Sequence, residues 1–192
     1  MPDNRIGMNP DRHVERTKRL RIEPVSNDLV RYYTSLEDRG HTPDGTEVIH
    51  SLVMEGTISL PDLTIQSLQA SATRQPYREC AASVEPLQRI VGMRIGAGFR
   101  ARVTELIGGN AGCSHFLALV LDLAASHTLS TYLRMRDRTH LAHSDDDDSN
   151  WTAVALTVEP RLENACIALA TGKRPIVQGM LQLAKGGHGK SS

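Results

Sequence analysis

The run Gly108-Gly109-Asn110-Ala111-Gly112-Cys113-Ser114-His115 constrains this chain more than any other stretch. It leads straight into Phe116-Leu117-Ala118-Leu119-Val120-Leu121, an apolar segment that predicts a helix from Ser114 to about Met135. Upstream, Phe99, Val103, Leu106 and Ile107 fall at i, i+4, i+7 and i+8, one helical stripe, so a helix is expected over 98–107, ended by Gly108-Gly109. A glycine-rich turn thus carries a thiol and an imidazole to a helix entrance, where free backbone N–H groups and the helix dipole favour a thiolate. In a regular helix, residues two apart point about 200° away from each other. With Cys113 in the turn and His115 in the first helical turn, the two can converge. A nucleophile with its proton partner and a pair of metal ligands are both compatible with that placement, as is plain burial of a small thiol.

The preceding half reads as strands. Arg19–Glu23 alternates charged and apolar residues, Asn27-Asp28 is a turn signal, and Leu29–Glu37 has the Val, Tyr and Thr content of a strand, so the two predict a hairpin. Asp38–Thr46, with Gly40, Pro43, Asp44 and Gly45, is expected to be a loop. Glu47–Glu55 predicts a third strand, and Ile58–Ala72 one long or two short strands broken at Pro61-Asp62. Ser83, with Glu85 and Pro86 after it, predicts a short helix to Val91. The expected fold is α+β: an N-terminal antiparallel sheet of about four strands with three helices on one face. Its expected limits are a disordered tail at 1–14, one domain over 15–184 with an acidic linker at 136–150 around Asp145–Asp148, and a disordered tail at 185–192. Trp151–Val158, Asn164–Ala170 and Pro175–Leu183 are further apolar segments.

Composition limits the function classes. Acidic and basic residues balance at 22 each, which removes any overall electrostatic drive toward nucleic acid or anionic membrane. The basic cluster Arg12, Arg16, Lys18, Arg19 and Arg21 lacks interleaved aromatic residues for base stacking. The first twenty residues carry no apolar run of the secretory kind, and the apolar stretch after His115 is interrupted by Asp122, so the expectation is a cytoplasmic protein with no membrane span. Three cysteines are an odd number for a disulfide framework, leaving ligation, catalysis or burial. Cys80, Cys113 and Cys166 with His115 make up a Cys₃His set, a combination that suits zinc or iron. No two of them are spaced CxxC, so the fold would have to assemble the set. His140 and His143 are a second candidate pair, with a solvated linker as the alternative. Gly187-His188-Gly189-Lys190-Ser191 fails the spacing of a phosphate loop.

Val91-Gly92-Met93-Arg94-Ile95-Gly96-Ala97-Gly98-Phe99, Val103, Gly108-Gly109 and Gly112-Cys113-Ser114-His115 together resemble an uncharacterised bacterial family of unknown function, of the DUF2889 type. The strand Leu20–Asp38, the segment from Pro76-Tyr77 to Cys80, and Pro160–Leu169 with Cys166 extend that likeness over about 16–180. The resemblance implies no activity. The order Glu55-Gly56-Thr57-Ile58, strand to Thr73, Cys80, then Cys113 and His115 is also similar to iron–sulfur scaffold proteins of the NifU type. The early cysteine of those scaffolds has no counterpart here, where only Asp38, His41, Asp44 and His50 occupy the region. Three functions follow as expectations. The first is an accessory or pathway protein with a zinc or iron site built on Cys80, Cys113, His115 and Cys166. The second is a small-molecule enzyme using Cys113 as nucleophile or acid with His115. The third is a binding module, for a small molecule or protein, whose cysteines only pack.

Overall fold

In the computed structural model the described residues are 12–60, 62–139 and 155–170. The chain divides into two compact units, Met1–Ser126 and His127–Ser192, each described by itself.

The first unit opens with four strands: β1 (His13–Ser26), β2 (Leu29–Thr42), β3 (Gly45–Ser59) and β4 (Ile65–Arg74). They form an antiparallel meander in the order β1-β2-β3-β4. The four-stranded antiparallel sheet is therefore as expected, but its first two strands run further. β1 begins at His13, inside the stretch expected to be a tail, and β2 continues through Asp38 to Thr42, where a loop was expected. Only Pro43-Asp44 separates β2 from β3. On β2 the even-numbered residues Val30, Tyr32, Thr34, Leu36, Asp38 and Gly40 are buried while their neighbours are not, the period of two of a sheet with one covered face.

The cover consists of two 3-10 stretches, Arg78–Ser83 and Glu85–Ile90, then α1 (Phe99–Ile107) and α2 (Ser114–Asp122). The helix expected over 84–91 is thus 3-10 rather than α. Pro86 at its start withholds a backbone donor, and Gly92 follows the extended Val91 with φ +85°. α1 buries Phe99, Val103 and Ile107; Leu106, expected in the core, is only partly buried. α2 buries Phe116, Leu119 and Val120, and Leu123 follows in a 3-10 turn. These side chains join Tyr32, Leu36, Leu52, Met54, Ile58 and Ile65 of the sheet in one core. The long helix expected to Met135 is divided: the 3-10 turn Leu123–Ala125 separates α2 from α3 (Ser126–Thr139). By length and composition alone the stretch Ser114–Met135 is long and apolar enough to cross a membrane, contrary to expectation. Four of its residues, Phe116, Leu119, Val120 and Leu123, are buried in the sheet's core.

One glycine is fixed by close approach. A Cβ on Gly56 would lie 1.9 Å from the Ser67 carbonyl oxygen and 2.6 Å from the Tyr32 hydroxyl. That space lets the buried Tyr32 hydroxyl donate to the Ser67 carbonyl at 3.1 Å. Burial, with Glu55 nearby, pushes the Tyr32 phenol well above its ordinary 10.0. Gly56→Ala is expected to destabilise the protein by about 1–3 kcal/mol, the usual cost of overpacking. Chemical denaturation checks this; an unchanged midpoint would show that β3 and β4 separate there without cost.

In the second unit, Met135, Ala155, Leu156 and Leu162 form a small apolar cluster beside a buried carboxylate. Arg161 donates to Glu159 from Nε at 2.8 Å and from Nη2 at 2.8 Å, and Arg134 Nη2 donates at 3.1 Å. These partners, Arg161 foremost, hold the Glu159 carboxyl well below the usual carboxylate range. The aspartate run, His140 and His143, Trp151 and the segments from 171 onward lie outside the described residues.

Candidate metal centre

The site grows from one rung of the sheet. Arg16, Asp38 and His50 are direct cross-strand partners on β1, β2 and β3. Because Asp38 continues the buried, even-numbered face of β2, this polar rung lies at the end of the core rather than in solvent. Leu36 and Leu52 form the next apolar rung on that face. A buried carboxylate needs compensation, and Asp38 receives it from both sides. Arg16 donates from Nε to Oδ1 at 2.6 Å and from Nη2 to Oδ2 at 2.8 Å. His50 Nδ1 lies 2.9 Å from the same Oδ2.

The glycine-rich turn brings the third element. A Cβ on Gly112 would sit 2.5 Å from the Ile107 carbonyl oxygen, so only glycine lets the chain fold back this tightly against the end of α1. Cys113 follows as the extended N-cap of α2, with φ −119° and ψ 129°, and His115 is in the first helical turn. The two converge: Cys113 Sγ is 3.4 Å from His115 Nδ1. The other ring nitrogen, Nε2, points to the sheet and lies 3.5 Å from Asp38 Oδ2. The His50 and His115 rings pack with centroids 4.2 Å apart, tilted by 36°. One ligand atom each from Asp38, His50 and His115 therefore lies within 4.8 Å of the others.

The electrostatics suit ligation. The Arg16 guanidinium is the main reason that the Asp38 carboxyl stays below the ordinary value of 3.8. Burial, with His50 and Arg16 nearby, pushes the His115 imidazole below its ordinary 6.5, so the ring is neutral at neutral pH. Both shifts give stability the same sign. For each group the unfolded chain binds a proton more readily than the folded one, so stability rises with pH. The Asp38 contribution is complete above 3.8 and is lost as the pH falls through its lower folded value. The His115 contribution is complete above 6.5 and is lost as the pH falls from there through its own folded value. The unfolding midpoint should therefore drop between pH 7.5 and pH 5, and His115→Gln should flatten that drop. An equal drop in the variant would mean that other groups carry it.

Of the residues expected to form the site, Cys113 and His115 are brought together. Cys80 lies in the 3-10 stretch Arg78–Ser83, half-buried, and is in no cluster of three ligand atoms among the described residues. Cys166 belongs to the second unit, where it is exposed at the start of the 3-10 turn Ile167–Leu169. Asp122, two turns along α2, takes a salt bridge from Lys18 at 2.6 Å. Asp38 and His50 are the residues that sequence reasoning passed over. The available signal was a carboxylate at an inward position of an alternating strand.

The fold and site define an α+β protein in which a meander sheet and a helix entrance enclose a carboxylate with two imidazoles. The family described as proteins of unknown function, DUF2889, matches residues 8–128, and the chain belongs to it. That span contains every residue of the site. No curated protein and no solved structure matches the chain. The likeness to NifU-type scaffolds is not supported.

Proposed function

We propose that this protein is a metal-site protein whose centre is Asp38, His50 and His115, with zinc or iron as the ion. The observation that carries the reading is the convergence of His50 Nδ1 and His115 Nε2 on Asp38 Oδ2, at 2.9 and 3.5 Å. Ligand bonds of about 2.0–2.2 Å place neighbouring ligand atoms roughly 3–3.5 Å apart, the range of the two separations from Asp38 Oδ2, and all three atoms lie within 4.8 Å of one another. Two imidazoles and a carboxylate suit zinc and non-haem iron, and three protein ligands leave positions open for water or a small molecule. Cys113 then takes a different role from the one its sequence suggests. Its sulfur is on the far nitrogen of His115, where an acceptor fixes the tautomer and turns Nε2 toward the ion. Arg16 similarly keeps Asp38 ionised and oriented. The wider role that fits is that of an accessory or pathway protein.

The test is zinc binding to the metal-stripped full chain, followed by competition with a chromophoric chelator. Asp38→Asn should lose one equivalent that the wild type takes. If both proteins take up the same amount with the same affinity, the proposal fails.

A second reading has its own observation. Cys113, His115 and Asp38 form a relay, with Sγ 3.4 Å from one ring nitrogen and the carboxylate 3.5 Å from the other. That order of thiol, base and orienting acid is the one nucleophilic catalysis uses. It predicts rapid alkylation of Cys113 in metal-free protein, slowed by His115→Ala and by Asp38→Asn. Equal rates in all three would remove it.

A further inference from the structure

We propose a second metal site on the opposite face of the sheet, formed by His13, Glu15 and His41 and taking a divalent transition ion of the zinc, nickel or copper class. It stands independently of the centre at Asp38. The strand period separates the two: Arg16 and Asp38 face the core, so the odd-numbered His13, Glu15 and His41 face outward. His13 is the direct cross-strand partner of His41, and Thr46 of β3 is the partner on its other side. The row His13–His41–Thr46 thus repeats, near the same end of the sheet, the three-strand arrangement of Arg16–Asp38–His50.

Three features point to a ligand. One atom from each of His13, Glu15 and His41 lies within 4.8 Å of the others; the two rings stack with centroids 4.4 Å apart and planes 10° from parallel, so the exposed His13 ring turns out of the stack to bring its in-plane lone pair to the same ion. His41 is oriented by a partner of its own: Thr46 Oγ1 is 3.0 Å from Nδ1. The remaining nitrogen, Nε2, is shielded from solvent and has no hydrogen-bond partner; it lies 3.5 Å from Glu15 Oε1. With Nδ1 donating to Thr46, Nε2 presents a lone pair toward the carboxylate, and a cation between them satisfies both. Arg39, opposite Glu15 in the ladder, donates its Nε to Glu37 at 2.6 Å and so leaves Glu15 to the histidines. Two nitrogens and a carboxylate, with the rest of the shell open to water, is a donor set that zinc, nickel(II) and copper(II) accept.

The experiment is titration of the metal-stripped full chain with zinc, read by chelator competition and by the imidazole NMR signals. The variants are His41→Ala, Thr46→Val and His50→Ala. In the wild type the His13 and His41 ring signals should shift on adding zinc. His41→Ala should lose one equivalent and keep the one that His50→Ala loses. Thr46→Val, which leaves every ligand in place, should weaken the outer site by about 10–100-fold, the usual effect of an orienting partner. Unshifted His13 and His41 signals in the wild type would overturn the proposal without involving any variant's folding. Unchanged stoichiometry and affinity in His41→Ala would overturn it as well. Failure of His50→Ala to lose metal while His41→Ala does would leave the outer site standing and contradict only the inner one.

Discussion

Phe116→Ala is expected to cost about 3–5 kcal/mol, the range for emptying a buried phenylalanine site. Phe116 is fully buried in the core shared by α2 and the sheet. Leu36 and Met54 of the same core are anchored in β2 and β3, so closing the space requires the helix to move toward the sheet. Movement of α2 moves His115, which precedes Phe116 in that helix. The same substitution should therefore weaken zinc binding at the centre, although Phe116 supplies no ligand atom. Leu106→Ala provides the contrast, because Leu106 is only partly buried and α1 carries no site residue. It should cost less and leave zinc binding unchanged. Denaturant unfolding followed by circular dichroism measures the first effect and chelator competition the second. A Phe116→Ala protein with wild-type stability would mean that α2 is not what closes the sheet.

The second large effect separates ligand from orienting partner. His50→Ala should reduce zinc affinity at the inner centre by more than about 100-fold, beyond what an outer-shell group commands. Cys113→Ser should reduce it by about 10–100-fold or less, since a hydroxyl can still accept from His115 Nδ1. The reverse ranking, with Cys113→Ser abolishing binding and His50→Ala sparing it, would return sulfur to the ligand set.

Much of the fold is legible in the residues themselves. The alternation over Arg19–Glu23 in β1, the Val, Tyr and Thr content of β2, the apolar stripe of α1 and the glycines before Cys113 each announce their element through local chemistry. The convergence of Cys113 and His115 could also be read locally, because the helix entrance allows what the helix interior forbids. The rest of the site could not, and the reason lies in one β-bulge. Counting back from the Pro43-Asp44 turn, the hairpin pairs Thr42 with Gly45 and Arg39 with Val48, which would set Ile49 opposite Asp38. Instead the register shifts between Asp38 and Arg39, and His50 takes that place. A one-residue slip exchanges the two faces of a strand. Without it His50 would face outward and Asp38 would have an isoleucine as its neighbour. The bulge carries no mark of its own in the sequence. Turn residues at Gly40, Pro43, Asp44 and Gly45 also suggested a long loop, whereas the strands continue to a two-residue turn. Cys80, in the 3-10 stretch Arg78–Ser83, belongs to no cluster of three ligand atoms among the described residues, and nothing local in the sequence says which ligand atoms share a cluster in space.

The most direct measurement is metal content with X-ray absorption on protein purified without chelator, for the wild type and the His50→Ala/His115→Ala double variant. The wild type should hold one equivalent of zinc or iron more than the double variant. Its metal edge should report nitrogen and oxygen neighbours at about 2.0–2.2 Å. Equal metal in the two proteins, or a sulfur shell near 2.3 Å, would contradict a centre built on Asp38, His50 and His115.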